Sequence, residues 1–342
     1  MRSQLAQYFG HNGNKWLMGR SLMTDKKKDV LREFLKKGSM PIKPFVFPVI
    51  FSISAEVEGM SAPPFLLDAT KVSNALRRIY QYHSYDCILC YFCNSLEEEI
   101  IGAEVDRSVF PPIVSDLDGN LLSVESFDPD DLKYGRIVKD VIQRLKITVG
   151  DRQLLASGFL GPIKLGRRVT ENISYTDLEV IASAIQKLAQ WFCQSGVDMI
   201  IFVEDIPFGK GELFEEWEWN FSQIVKLVIF HEALPVLMIK VADKVEHVKT
   251  LLQRVEGLLP CFVCDDIEKF SRALKEIQLE SPFGLAFSLE LLSSGNTMEL
   301  RRMIKQYKDR IMLLTTSEEI AFGVHKAKDL QAISDSLNQI MG

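Results

Sequence analysis

Apolar and polar positions alternate along the chain in blocks that switch repeatedly between two periods. Val30, Leu31, Phe34 and Leu35 recur at helical spacing between Asp25 and Lys37, with Gly38 just past the end, which predicts a first helix. The run Lys43 to Ile53 (KPFVFPVIFSI) is continuously apolar and rich in β-branched residues, and predicts a buried strand. A helix is expected from Ala69 to His83, then a strand through Cys87, Cys90 and Cys93 that runs into a short acidic turn and helix from Ser95 to Gly102. Pro111 to Phe127, around Asp118-Gly119-Asn120, reads as an inserted hairpin, and Asp130 as the cap of a helix reaching Ile147.

The alternation then becomes regular. Strands are expected at LLASGFL (154 to 160), DMIIFVED (198 to 205), PVLMIKV (235 to 241), PCFVC (260 to 264), FGLAFSL (283 to 289) and RIMLLTT (310 to 316). Helices separate them, from Tyr175 to Gln194, Glu212 to Phe230, Val245 to Val255, Ile267 to Ile277 and Thr297 to Tyr307, and Lys328 to Ile340 closes the chain. Eight strands in strict alternation with helices predict an α/β fold, a single (β/α)8 TIM-type barrel. It would span residues 25–342, with residues 1–24 as an N-terminal extension broken by Gly10, Gly13 and Gly19. A doubly wound open sheet is the competing architecture.

Composition narrows the class without changing the fold. The 342 residues carry 46 acidic and 40 basic side chains spread along the chain, so no basic face points to nucleic acid. No apolar run approaches the roughly 18 residues of a membrane span, and the first 20 residues lack the apolar core of a signal peptide. A cytoplasmic location is expected. Six cysteines are sparse for a disulfide scaffold and are read as thiols.

A barrel of this kind builds its site at the carboxyl ends of its strands. Those ends carry Ser52 and Ser54, Cys93 and Asn94, Gly158 and Phe159, Glu204 and Asp205, and Lys240 with Asp243. Further round are Cys264, Asp265 and Asp266, then Ser288 and Glu290, then Thr315, Thr316, Ser317 and Glu318. This ring is rich in carboxylates, suited to a cation, a protonated substrate or acid-base chemistry; the same Asp243, Asp265 and Asp266 also suit helix capping. The C-x2-C-x2-C spacing at 87, 90 and 93 with C-x2-C at 261 and 264 invites a metal, but on a regular strand Cys87 and Cys93 share a face that Cys90 does not. Cys93 and Cys264, both at strand ends, could face one cavity, or pack as small apolar groups. Phe214, Trp217, Trp219 and Phe221 could wall a flat ligand, or serve helix packing or a dimer seam.

Several phrases, in order, resemble the superfamily of uroporphyrinogen decarboxylase and the corrinoid-dependent methyltransferases. They are KKDVLREFLKKG before PIKPFVFPV, YDCILCYFCNSLEEEIIGAEV, LLASGFLGPIKLG, SGVDMIIFVED, ALPVLMIKV and RIMLLTTSEEI, covering residues 25 to 340. The resemblance implies the same barrel. Its decarboxylases hold substrate carboxylates with an arginine-bearing loop after the first strand, where this chain has FSISAEVEGMS, and place a catalytic aspartate where this chain has Cys93. Its thiol-methylating members bind zinc through His-x-Cys after the strand matching PVLMIKV and a cysteine after the last strand; here stand Ile239 and Val241, or Lys240 if the register slips, and Thr316-Ser317. The expectation is therefore a methyltransferase linked to a corrinoid (cobalamin) supplied by a partner protein, without the usual zinc site. Glu204, Asp205 and Glu290 would polarise or protonate the leaving group, with Lys240 as electrostatic partner. Cys93, Asn94, Gly158, Phe159, Cys264, Asp265, Ser288 and Ser317 would contact a small methyl donor or acceptor. The alternatives are a catalytically degenerate barrel acting as a binding or assembly subunit, a homodimer for instance, and an atypical decarboxylase or lyase using Lys240, Lys164 or Arg167.

Overall fold

The computed structural model describes residues 26–114, 128–170, 173–205, 212–241, 245–294 and 297–341. The N-terminal extension, the turn at Asp118-Gly119-Asn120, Asp243 and the helix cap expected at Asp25 lie outside them. Ten strands are present among the described residues: β1 (Phe45–Val46), β2 (Cys87–Phe92), β3 (Val105–Asp106), β4 (Ile113–Val114), β5 (Leu154–Leu160), β6 (Met199–Val203), β7 (Leu234–Lys240), β8 (Leu259–Cys264), β9 (Phe283–Phe287) and β10 (Ile311–Thr316). Eight form one parallel sheet in the order β1-β10-β9-β8-β7-β6-β5-β2, and β3 pairs antiparallel with β4 as a small hairpin. The ends of the large sheet meet through Asp86, whose N–H donates to Val46 O (3.0 Å) and whose carboxylate accepts from Val46 N (2.9 Å). The fold is an α/β TIM-type barrel.

The register shows how the interior is filled. Leu160, Val203, Met238, Cys261, Gly284, Leu313 and Phe45 are successive partners across seven strands, so they form one row of side chains on one face of the sheet. Phe202, of the opposite parity, packs on Phe221 of the helix Glu212–Phe230 with ring centroids 5.2 Å apart, so the row faces inward. Gly284 is a glycine for steric reasons. A Cβ there would sit 2.9 Å from Cys261 Sγ and 3.1 Å from Leu313 Cβ. The next row towards the C-terminal face is Lys240, Val263, Ala286 and Thr315. The opposite end is covered by the helix Lys27–Lys37, where Lys27 pairs with Asp86 (2.8 Å) and the buried Lys28 with Asp198 (3.1 Å).

Three local expectations change. The apolar run 43–53 is buried as expected but keeps only two residues in a strand, because Pro48 has no N–H to give the ladder. Beyond it Val49 N–H is taken by Thr316 Oγ1 (2.9 Å), Tyr80 OH lies 3.2 Å from the carbonyls of Pro48 and Ile50, and Ser52–Ser54 forms a 3-10 turn. Asp130 does not cap the following helix, which runs Lys133–Val149; its carboxylate is used by Lys139 and by Trp191 Nε1 (3.0 Å). A hairpin not expected from the sequence forms at β3 and β4, while the turn of the one expected over Pro111 to Phe127 lies outside the described residues.

Candidate active site at the barrel mouth

The end of β2 is the most elaborately built part of the C-terminal face. The register slips between Leu89 and Tyr91, which swings the buried Tyr91 ring towards Tyr134 and Phe192 on the outer helices. Its hydroxyl accepts from the N–H groups of Asn94 (3.0 Å) and Leu96 (2.8 Å) and donates to Glu97 (2.5 Å). The slip also overrides the alternation that would have set Cys87 and Cys93 on one face. Cys93 and Ser95 both take positive φ, 39° and 65°, a strained choice for residues with a Cβ. The turn is held in place by Arg107, which donates to Asn94 O (2.7 Å), Ser95 O (3.2 Å) and Glu99 (2.7 Å), and by Asn94 Nδ2 bonding Tyr134 OH. Cys93 N–H donates to Gly158 O (2.9 Å), where a Cβ would strike the Phe92 ring at 2.6 Å.

Two adjacent glutamates follow, and both are buried. Glu97 accepts from Leu160 N (3.2 Å) besides Tyr91, and burial raises its pKa against those bonds. Glu98 has no hydrogen-bond partner for either oxygen, although Arg168 Nη1 lies 2.9 Å from Oε1 as an ion pair. Burial, then the neighbouring Glu97, push its pKa up to about 8 against the pull of Arg168. The Cys93 thiol is pushed up by burial and by Glu97, Glu98 and Glu319, with Lys164 opposing, so it is a thiol and not a thiolate near neutrality.

Glu319 lies just past β10. Its carboxylate accepts from Ser52 N at 2.5 Å, and burial pushes its pKa up to about 7 against the bonds from Ser52. Thr316 Oγ1 and Ser317 N anchor the same loop, to Glu318 O (2.8 Å) and Phe287 O (2.9 Å). Cys93, Lys164 and Glu319 thus share one electrostatic neighbourhood at the ends of β2, β5 and β10.

The residues expected from strand ends divide. Asn94 and Cys93 belong to this neighbourhood, with Gly158 below them and Ser317 beside Glu319. Phe159 faces outward, stacked on Phe192 at 5.5 Å, and Cys264 shares the face of Phe287 and Thr316 rather than that of Val263, so it does not look into the same cavity as Cys93. Glu204 is buried and accepts four N–H groups, from Ile163 (3.1 Å), Lys164 (2.8 Å), Asp205 (2.8 Å) and Trp217 Nε1 (3.0 Å), which makes it the anchor of the helix Pro162–Val169 instead of an open acid. Burial still pushes it up to about 7. Asp205 is 3.6 Å from Arg167, and the exposed Lys240 is 3.0 Å from Asp265. Ser288 caps the helix Leu289–Ser293 through Leu291 N (3.2 Å), Glu290 is exposed on it, and Asp266 caps the helix Ile267–Ile277 through Lys269 N (2.9 Å). Phe214, Trp217 and Phe221 are core, whereas Trp219 is 64% exposed.

Ile239 and Val241 are buried and offer no donor atom, so this site does not fit the zinc of the resembled thiol-methylating enzymes. Among the described residues no group of three or more His, Cys, Asp or Glu could hold a metal ion, and all six cysteines are free. Glu98, Glu319 and Arg107 escaped the strand-end survey. Glu319 is one residue beyond the TTSE run considered there. Burial of the acidic Glu97-Glu98 pair has no local signature.

A methyltransferase from Methanosarcina mazei superposes with a TM-score of 0.69 at 16% identity, over 92% of this chain and 99% of that one. A candidate vitamin B12-independent methionine synthase from Listeria monocytogenes gives a TM-score of 0.52 at 13% identity, over 88% and 98%. These likenesses show the fold. No family model matches the chain, and no curated protein matches it. Among the described residues, no helix is long and apolar enough to cross a membrane.

Proposed function

We propose that this barrel is a methyltransferase of the uroporphyrinogen decarboxylase-like type, exchanging a methyl group between a small molecule at its mouth and a corrinoid carried as co-substrate by a partner protein. The observation that carries the reading is Glu319, a carboxyl group tethered to Ser52, pushed up to about 7 and close enough to Cys93 for its charge to be felt there, on the face where such barrels react. The fold likeness to the Methanosarcina mazei methyltransferase supports it. When a methyl group leaves oxygen, nitrogen or sulfur, the C–X bond breaks, X keeps the electron pair, and X must take up a proton. A carboxyl group half protonated near neutrality can supply that proton and be reloaded from solvent. Lys164 would hold the developing negative charge on X, and the Cys93 turn would position it. Asp205, Lys240 and Glu290, set on the rim, would contribute to the field around the donor.

The test is methyl transfer to free reduced cobalamin from methylated amines, ethers and thiols, followed by the corrinoid spectrum. Turnover in the wild type that falls about 100-fold in Glu319→Gln is expected for loss of a general acid. Turnover untouched by that change would remove Glu319 from the chemistry. The Lys240–Asp265 pair and the four donors on Glu204 favour a second reading, a barrel whose polar groups serve structure and which acts as a binding or assembly subunit. It predicts no transfer from any donor.

A further inference from the structure

At the N-terminal end of the barrel, opposite the mouth, the helices Ile267–Ile277 and Thr297–Tyr307 part over the starts of β9 and β10 and leave a cleft of about 270 Å3. Lys275, Gln278, Glu280 and Arg310 line it. We infer that this cleft is a second ligand site, separate from the reacting face, and that it takes a small organic monoanion, a carboxylate on a short carbon body.

Arg310 is fixed in the fold by its backbone and by one side of its guanidinium. Its N–H donates to Tyr307 O (2.9 Å), its carbonyl accepts from Phe283 N (3.0 Å), and Nη1 donates to Leu279 O, while the guanidinium lies 5.2 Å over the Tyr307 ring. Gln278 ends its helix in a left-handed conformation (φ 53°), and the turn it makes brings Leu279 O to that nitrogen. Among the described residues nothing bonds Nε or Nη2, and neither atom is sealed from water. Those two nitrogens form one edge of the guanidinium, the edge that grips both oxygens of a carboxylate side by side. Lys275, exposed on the helix wall of the same cleft, makes no ion pair among the described residues. The cations Lys275 and Arg310 outweigh the one carboxylate of the lining, Glu280, by a single positive charge. A monoanion neutralises that charge, a dianion overshoots it, and a cation is repelled. The rest of the lining limits the ligand's body. Leu274, Leu279 and Phe283 are only 3%, 9% and 1% exposed, so they offer an edge and not a broad apolar wall. The cleft also falls just below the roughly 300–1,000 Å3 of sites for drug-sized ligands, which fits a molecule of a few carbons. Lying at the end of the barrel away from Cys93 and Glu319, its occupant is not the methyl donor.

The experiment titrates butyrate, 1-butanol, butylammonium and butyl phosphate separately into the isotope-labelled full chain and follows backbone amide resonances by NMR. Butyrate is expected to move the amides of Gln278, Leu279, Glu280 and Arg310 saturably, and to bind more tightly than the other three probes. Exposed side chains supply the variants, so that folding is preserved. Lys275→Ala should weaken butyrate about threefold, and Glu280→Gln, which removes the like charge, should strengthen it about threefold. Arg310→Lys keeps the charge but loses the paired nitrogens, and should weaken butyrate about tenfold. A gain of affinity in Glu280→Gln is the result that a merely structural role for these residues does not give. Cleft amides that butyrate leaves unmoved up to about 50 mM, or shifts confined to the mouth at Asn94 and Ser317, would overturn the inference. So would any of the other three probes binding as tightly as butyrate, or Lys275→Ala and Glu280→Gln both binding it as the wild type does.

Discussion

Replacing Glu98 by glutamine is expected to change how the stability of this protein depends on pH. Glu98 is fully buried, neither oxygen has a hydrogen-bond partner, and its nearest neighbour of like charge is the adjacent Glu97. Its pKa in the folded chain, about 8, is above its ordinary value of 4.5, so the native state binds this proton more tightly than the unfolded state does. The stability tied to that proton is complete below pH 4.5 and is lost as pH rises through 8. Carried through full ionisation, a displacement of that size corresponds to a loss on the order of 3–5 kcal/mol. Glutamine cannot ionise, so Glu98→Gln removes this loss and gives up only the ion pair with the half-exposed Arg168, worth about 1 kcal/mol or less. Urea unfolding at pH 5.5, 7, 8 and 9 measures the difference directly. The wild type should lose stability relative to the variant across this series, by about 3 kcal/mol between pH 5.5 and pH 9. Parallel pH profiles would refute the reasoning, since Glu204 and Glu319 titrate in both proteins and cancel.

Glu204→Gln should lower the melting temperature, because one of its two oxygens becomes an NH2 that faces two N–H donors; orphaning them costs about 2–4 kcal/mol after relief of the buried charge, and an unchanged circular-dichroism melt would contradict the anchoring role. Gly284→Ala should destabilise by about 1–3 kcal/mol through contact with Cys261 Sγ, and the double variant with Cys261→Ala should recover most of it in the same urea assay; failure of the second change to compensate would mean that the strain lies against Leu313.

The barrel was legible because each unit writes its own period. Tyr175–Ser195 and Glu212–Phe230 carry helical spacing, and Leu154–Leu160 and Leu234–Ile239 are buried along their length because both faces are covered. The mouth was legible only as a set of strand ends. Asn94 and Cys93 were singled out that way, and they lie in the turn after β2. Glu204 was found for the right position, but its four donors arrive from the helix Pro162–Val169, from the next peptide and from Trp217, partners that no spacing rule links to it. Cys264 failed by parity, since the last residue of a strand faces in or out according to a register set by its neighbours. Glu98 and Arg107 depend on a slipped register and two positive φ angles between Leu89 and Ser95, and these are decided by tertiary packing against Tyr134 and Phe192.

The seam of the ring has a consequence for how the chain comes together during synthesis. Six strands, β5 to β10, can add to the growing sheet as they leave the ribosome, each finding a predecessor already made. Strand β1 cannot, because its ladder partner is β10, the last strand of the sheet to be made, and its bond to β2 rests on the single residue Asp86. Until β10 arrives, Phe45, Phe47 and the apolar residues after them have no finished surface to cover them. A nascent chain stalled before Ile311 would therefore present the uncovered β1 segment and the open edge of β9 together, the two surfaces that chaperones and other nascent copies compete to bind.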